Sequence, residues 1–186
     1  MSYILMMIIM LSGVAGLDRP RPDPNQAAAF ARWLISEIDW CVLTTINPNG
    51  DPFGNVVSYT DVATGVPFFY LTTTLDSTGK YAITNPLAAF TISEKVLGTC
   101  GTRDPQSPVC SKLSLTGKLM LIQGNTSEGA FGESALFQAH PQLSVWPKRI
   151  KAFDVFKLVH TEIFLVNDFL PPKNLTIKEY LSYKYV

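Results

Sequence analysis

The chain has 186 residues, of which 47% are hydrophobic and 16% are charged, and its formal net charge is zero. This composition is typical of one compact domain with a buried core and not of a disordered chain. The balanced charge provides no general attraction to nucleic acid or to an anionic membrane surface, so we predict no direct nucleic-acid binding.

The first 16 residues are interpreted as a signal peptide. The apolar run Ile4–Leu11 is followed by the small-residue segment 12–16, which is typical of a cleavage site. A membrane anchor is the alternative, but a spanning helix needs roughly 20 apolar residues, more than this run provides. We therefore predict entry into the secretory pathway without a membrane span. An extended linker over residues 17–24 and a single domain over residues 25–186 are expected to follow.

The first helix is predicted to begin at Asp23. This residue is a good N-cap, and Pro24 would occupy the first helical position. Apolar residues then recur every four positions, which predicts one buried face, at Phe30, Leu34 and Ile38.

The pattern changes to strands after this helix. Strands are predicted at Trp40–Ile46, Phe53–Tyr59, Val66–Leu71, Leu87–Ser93 and Lys112–Gln123, with one or two more over Phe153–Val166. Asn49 and Gly50 form a hairpin signal between the first two. Further helices are predicted over Asp76–Asn85, from Thr126 or Ser127 to about His140, and after the Thr176/Glu179 capping box. Many short strands without regular strand–helix alternation predict a barrel or sandwich and not a Rossmann sheet.

Two cysteines flank a short loop rich in turn residues. Cys100 and Cys110 are predicted to form a disulfide, which would contribute roughly 2–3 kcal/mol and agrees with a secreted chain. Two free thiols in a mobile loop are the alternative. Neither cysteine has a nearby His or Cys in the sequence, so no zinc site is predicted. Cys41 falls in an apolar strand and is interpreted as a buried, inert thiol.

Two sequons are candidate glycosylation sites. Asn125 and Asn174 each begin an Asn-x-Ser/Thr pattern in a predicted loop. The pattern arises by chance, so its significance depends on the predicted secretion.

No catalytic residue is assigned from the sequence. The chain has no Gly-x-Ser-x-Gly nucleophile motif and no glycine-rich phosphate-binding run. His140 and His160 are its two histidines, and both are interpreted as structural or surface residues.

The segment Leu71–Lys80 is the candidate phosphate site. Hydroxyl groups, a helix N-terminus and one lysine could together cradle a phosphate. An ordinary strand-to-helix cap with a solvated lysine is the alternative and is favoured. The residues that would contact the phosphate are Thr72, Thr73, Ser77 and Lys80.

Several segments together resemble the CREG family of secreted glycoproteins. The Asp104–Cys110 loop and the His140-Pro141 and Trp146-Pro147 pairs are specific, whereas Asn85-Pro86 is shared with pyridoxamine-phosphate-oxidase-like flavoproteins. The other matching segments are Val66–Leu71, Leu87–Thr91, Ala135–Ala139 and Val145.

The resemblance implies a mainly β fold with flanking helices, namely a split β-barrel of the FMN-binding type that forms a homodimer. It implies a non-catalytic secreted or endolysosomal/vacuolar glycoprotein that acts through protein contacts in growth and differentiation control. An FMN-dependent oxidoreductase is the alternative, since the flavoprotein relatives bind FMN at the dimer interface. Those relatives usually carry a basic pair where this chain has Ser77 and Thr78, with Lys80 the nearest base. This departure argues against tight FMN binding.

Overall fold

A computed structural model describes residues 19–146 and 153–184 of the chain. The predicted signal peptide lies outside these ranges. The α-helices are α1 (Ala27–Glu37), α2 (Ser77–Thr84), α3 (Ser127–Ala139) and α4 (Ile177–Ser182). The strands are β1 (Trp40–Ile46), β2 (Pro52–Thr60), β3 (Phe68–Thr72), β4 (Leu87–Ser93), β5 (Lys112–Ile122), β6 (Phe153–Val166) and β7 (Lys173–Leu175). Two 3₁₀-helices lie at Glu94–Leu97 and Pro141–Val145.

The strands form a closed antiparallel barrel. Their order is β3-β2-β1-β4-β5-β6, and pairing of β3 with β6 closes the ring, while β7 adds to the outer edge of β6. Phe69 lies opposite Phe156 in the closing pair, and both side chains are buried. Closure leaves the six barrel strands without free edges among themselves. The prediction of a mainly β barrel with flanking helices is confirmed.

Residues 153–166 form one continuous strand, which resolves the open choice between one strand and two. The pairing of β5 with β6 shifts register between Thr116 and Gly117. Gly117 lies opposite His160, and a Cβ atom at position 117 would overlap the Val159 carbonyl oxygen. Glycine is therefore required where the two backbones approach at this bulge.

The prediction that α1 begins at Asp23 is wrong. The helix begins at Ala27, and Gln26 precedes it without a capping side-chain hydrogen bond. Asp23 instead closes a turn, because its carboxylate accepts from the Asn25 amide at 2.9 Å and its carbonyl accepts from the Gln26 amide. Pro24 lies inside this turn.

The core lies between α1 and the barrel interior. The apolar side chains predicted to form the buried face of α1, those of Phe30, Leu34 and Ile38, are buried. Tyr59 of β2 donates a hydrogen bond to the Ile35 carbonyl of α1 at 2.9 Å. Burial of these apolar side chains is the main stabilising contribution to the fold. The principal core residues are Phe30, Trp33, Leu34, Leu43, Phe69, Phe90, Leu115 and Phe156.

The segment before α1 is extended but contacts the domain. Arg21 forms an ion pair with Glu94, and the Arg19 carbonyl accepts from the Trp33 indole nitrogen at 3.3 Å. Asn167 donates to the Pro24 carbonyl at 2.7 Å. Residues 19–24 therefore cover part of the domain surface.

Candidate functional site

A cavity of about 270 Å³ lies between β2, β3 and the beginning of β6. We call it the aromatic cavity. It lies where β2 and β3 diverge, because these strands pair only at Tyr59–Phe69 and Thr60–Phe68. Its lining residues are Asn55, Val56, Val57, Ser58, Tyr70, Leu71, Thr72, Asp76, Leu143, Trp146 and Phe153.

One wall of the aromatic cavity consists of packed rings. Tyr70 stacks on Phe153 with ring centroids 5.1 Å apart and an interplanar angle of 13°. Trp146 contacts Phe153 at 5.6 Å, and Phe137 packs edge-on against Tyr70 from behind. Burial raises the pKa of the Tyr70 phenol. This wall is suited to contact a flat apolar ligand.

The polar end of the cavity carries a carboxylate. Asp76 caps α2, where its Oδ1 accepts from the Thr78 amide at 2.7 Å. The Asn55 amide group donates to the other Asp76 oxygen at 3.2 Å and to the Thr78 hydroxyl at 2.9 Å. Asp76 therefore already satisfies an amide of this helix N-terminus and places a negative charge there, which opposes binding of a phosphate dianion.

Helix α2 packs closely on the end of β3. A Cβ atom at Gly79 would overlap the carbonyl oxygen of Thr72, so glycine permits this approach. The Thr72 hydroxyl accepts from the amides of Thr74 and Leu75 at 3.3 and 3.2 Å. The Thr72 hydroxyl thus acts as an acceptor in the strand-to-helix connection, and its single donor hydrogen can go to the Thr74 hydroxyl oxygen at 3.4 Å or to a ligand.

Only one predicted phosphate-site residue, Thr72, lines the aromatic cavity. Thr73 donates its hydroxyl to Asp154 at 3.3 Å, Ser77 lies half-buried in the first turn of α2, and Lys80 is exposed. These three residues stay outside the lining. Sequence reasoning missed Asn55, Asp76 and Trp146 as cavity residues, although Asp76 was predicted as the start of the helix.

The loop over residues 100–110 is a second ordered feature of the surface. Cys100 and Cys110 are joined by a disulfide. The Lys95 ammonium donates to the carbonyls of Gly101 and Arg103 at 2.9 and 2.7 Å. The Lys112 ammonium lies 2.9 to 3.1 Å from four carbonyl oxygens, those of Pro105, Gln106, Ser107 and Cys110, which share its three N–H donors. Two lysines therefore organise the loop backbone in place of regular secondary structure.

The sequons lie on the surface. Asn125 is exposed in the turn between β5 and α3, as predicted. Asn174 is also exposed, but it lies in β7, where it pairs with Phe164, so its predicted placement in a loop is wrong. A three-residue edge strand is too short to leave an alternating pattern in the sequence.

The remaining candidates for chemistry lie outside the aromatic cavity. His140 places its Nε2 2.8 Å from the Tyr59 carbonyl, and His160 is buried. Cys41 is fully buried, and burial raises the pKa of its thiol well above the usual value, so the thiol stays protonated. In residues 19–146 and 153–184, no group of three or more His, Cys, Asp or Glu is placed to hold a metal ion. No helix in these ranges is long and apolar enough to cross a membrane.

The sequence matches one protein family over most of its length. The model of the CREG β-barrel family matches residues 22–182. The chain is 31% identical to chicken Protein CREG1, over 97% of this chain and 99% of that protein. It is 33% identical to human Protein CREG1, over 88% of this chain and 77% of that protein.

Comparison with solved structures identifies the same architecture. A heme binding protein from Mycobacterium smegmatis superposes with a TM-score of 0.71 at 19% identity, over 88% of this chain and 62% of that chain. A pyridoxinephosphate oxidase family protein from Clostridium acetobutylicum superposes with a TM-score of 0.58 at 11% identity, over 83% of this chain and 98% of that one. At these identities the likeness shows a common split-barrel fold.

Proposed function

Since this chain belongs to the CREG β-barrel family, we propose that it is a non-catalytic secreted or endolysosomal/vacuolar glycoprotein. It acts through protein contacts in the control of growth and differentiation. The split barrel serves as a scaffold for these contacts. The observation that carries the non-catalytic part of the proposal is the Asp76 carboxylate at the polar end of the aromatic cavity, because its negative charge at the N-terminus of α2 opposes binding of a flavin phosphate there.

Several buried titratable groups of the described domain have structural roles away from the aromatic cavity. Asp61, Glu94 and His160 are buried, yet none of them lines the aromatic cavity. Asp61 forms an ion pair with Arg32, and Glu94 forms one with Arg21, so both carboxylates stabilise the fold. A general acid or base must come within hydrogen-bond reach of a substrate, and the described lining offers Asp76 and Tyr70 as its only ionisable side chains.

Secretion and glycosylation are tested together by expressing the full chain in a eukaryotic secretory host. We expect protein in the medium whose first residue is about position 17, with glycans that peptide N-glycosidase removes. Asn125→Gln and Asn174→Gln should each remove one glycan, because both asparagines are exposed. Unglycosylated protein retained in the cytosol would contradict this part of the proposal.

The proposed homodimer is supported by an exposed apolar pair on the barrel. Val42 and Val56 lie opposite each other in β1 and β2, and Val56 is 63% exposed although it also lines the aromatic cavity. We expect light scattering to give the mass of a dimer and the double variant Val42→Lys/Val56→Lys to give that of a monomer. Leu87→Lys, at another exposed apolar position, is the control. A monomeric native protein would contradict the assembly.

An FMN-dependent oxidoreductase is the second candidate. The stacked Tyr70–Phe153 pair and Trp146 favour it, because a flat isoalloxazine could lie against them. Bound flavin would supply the redox chemistry, and the protein would supply position and electrostatics. Titration with FMN separates this candidate from the first.

A further inference from the structure

A second cavity, of about 420 Å³, lies on the outside of the barrel between α3, α4 and β6. We call it the histidine cavity. It shares no lining residue with the aromatic cavity. Its volume falls within the usual range of small-molecule sites, about 300–1,000 Å³. Its lining residues are Thr64, Val66, Phe68, Glu128, Phe131, Lys157, Val159, His160, Ile177 and Leu181.

The buried polar group of this cavity lacks a partner. His160 is 6% exposed, and both of its ring nitrogens are buried from solvent and make no hydrogen bond. The nearby Leu158 carbonyl favours a protonated ring but does not reach hydrogen-bonding geometry. Buried polar side chains in proteins are nearly always hydrogen-bonded, so an unpartnered imidazole beside a cavity points to a group that is supplied from outside.

The surroundings of His160 favour the neutral ring. Burial, which is the larger effect, and the Arg32 charge both lower the pKa of His160. The Tyr180 ring packs edge-on against the imidazole at 5.3 Å. A neutral imidazole has one donor and one acceptor nitrogen, so it matches a hydroxyl group, which can also donate and accept.

The rim of the cavity disfavours a charged ligand. Lys157 and Glu128 form an ion pair with each other, so their charges are balanced. Most other lining side chains are apolar, and Phe131, Val159 and Leu181 are 49%, 46% and 39% exposed. Such walls gain free energy when an apolar ligand covers them.

We propose that the histidine cavity binds an uncharged amphiphile, namely an apolar chain or ring that carries one hydroxyl group. The His160 ring turns towards the cavity when the ligand enters, so that one of its buried nitrogens forms a hydrogen bond with the hydroxyl. The apolar body covers Phe131, Val159 and Leu181. This site is independent of the function proposed above, since it uses no residue of the aromatic cavity. It involves binding alone, without a covalent step.

The test follows the histidine rings by NMR, because the chain contains two histidines. Protein labelled with ¹⁵N-histidine is titrated with 1-decanol at neutral pH, and signals are assigned with His160→Phe. We expect saturable shifts of the His160 ring nitrogens and unchanged His140 signals, because His140 already contacts the Tyr59 carbonyl. Unchanged His160 signals throughout the soluble range of 1-decanol would overturn the proposal.

Chain length and the head group provide the second measurement. Affinity should rise about fourfold per added methylene group from 1-octanol to 1-decanol, as expected for burial of an apolar chain. 1-Chlorodecane lacks the hydroxyl and should bind the native protein at least tenfold more weakly than 1-decanol does. The two compounds should bind His160→Phe with similar affinity. Equal affinity of native protein for the two decyl compounds would refute the role of His160.

Two matched surface variants guard against a general effect of added charge. Leu181→Lys, at the rim, should weaken 1-decanol binding at least tenfold, whereas Leu87→Lys, at an exposed apolar position outside the cavity, should leave it unchanged. Equal loss in both variants, or loss in neither, would overturn the assignment of the ligand to this cavity.

Discussion

Arg21 donates a hydrogen bond through its Nε to Oε1 of Glu94 at 2.7 Å, although 73 residues separate them in the chain. The Glu94 carboxylate is fully buried and also accepts from the Thr99 hydroxyl at 2.7 Å and the Ser111 amide at 3.1 Å. Since Ser111 follows Cys110, one carboxylate joins the N-terminal segment to the base of the disulfide loop. A buried charge with this many partners stabilises both segments together.

Removing the Glu94 charge should destabilise the protein. We expect Glu94→Gln to lower the free energy of unfolding by about 2–4 kcal/mol, because Arg21 and two donors lose an anionic acceptor. Urea denaturation at pH 7 measures this loss. Glu128→Gln breaks the exposed pair with Lys157 and should cost less than about 1 kcal/mol. Similar losses in both variants would contradict the role of the buried carboxylate.

The Glu94 contribution should depend on pH. Burial alone would raise its pKa, but hydrogen bonds from Arg21, Thr99 and Ser111 outweigh it and lower the pKa. A lowered carboxyl pKa stabilises the fold above the unfolded value of about 4.3 and loses this contribution as pH falls through the folded pKa. The stability difference between native protein and Glu94→Gln should therefore be full at pH 7 and shrink below about pH 4. A difference that stays constant down to pH 2 would exclude this linkage.

The His160 ring should make the protein sensitive to mild acid. Burial and the Arg32 charge lower its pKa, so the unfolded chain binds the proton more tightly than the folded one. Stability is therefore full above the unfolded pKa of about 6.5 and falls as pH drops below it, by at most about 1.4 kcal/mol per pH unit. Chemical denaturation between pH 7.5 and 5.5 should show this slope in native protein and a smaller one in His160→Phe. An unchanged slope in the variant would show that another group is responsible.

The buried Arg32 should hold α4 on the domain. Its guanidinium donates to the carbonyls of Tyr183 at 2.8 Å, Tyr180 and Ala63, and it lies 3.9 Å from the Asp61 carboxylate. Arg32→Met should cost about 3–5 kcal/mol, because the buried Asp61 carboxylate loses its cationic partner and keeps only backbone amide donors. Hydrogen exchange of the α4 amides should accelerate in this variant.

A second variant separates the charge from the packing. Arg32→Met/Asp61→Asn removes both charges and should recover part of the lost stability. Lys178→Met, on the exposed side of α4, serves as the control. Additive losses in the double variant would show that Arg32 and Asp61 do not interact.

Removal of the disulfide should cost about 2–3 kcal/mol, as expected for a loop of this length. Cys100→Ser/Cys110→Ser should show this loss in urea denaturation, whereas Cys41→Ala tests a thiol outside the loop. Peptide mapping of native protein without reduction should recover Cys100 and Cys110 in one linked fragment. Two separately alkylated thiols would contradict the bond.

The barrel strands were predictable because they are short apolar runs rich in β-branched and aromatic residues, with turn signals between them. The predicted bounds of β1 and β4 match the structure, and the α2 and α4 caps were recognised from Asp76 and Thr176. The start of α1 was not predicted correctly. Asp23 resembles an N-cap in the sequence, but its carboxylate closes a turn that precedes the helix. The strand β7 was missed because three residues carry no periodic signal.

The aromatic cavity was less predictable than the strands. Its lining combines Asn55, Tyr70 and Trp146, which are distant in the sequence and meet only in the folded domain. The segment around Thr72 was a candidate phosphate site because it is rich in hydroxyl groups. In the structure the Thr73 hydroxyl donates to Asp154 and the Thr72 hydroxyl accepts from backbone amides, and composition alone could not show these partners.

The most direct test of a non-catalytic scaffold is an FMN titration of protein purified from a secretory host, preceded by its visible absorption spectrum. We expect a colourless protein that causes no saturable quenching of FMN fluorescence at micromolar concentrations. Asp76→Asn, which removes the charge at the polar end, should gain affinity for FMN relative to the native protein, while Glu162→Gln, at an exposed position outside the cavity, should not. A flavin spectrum, or saturable micromolar binding that Tyr70→Ala abolishes, would contradict the account and establish the aromatic cavity as a flavin site.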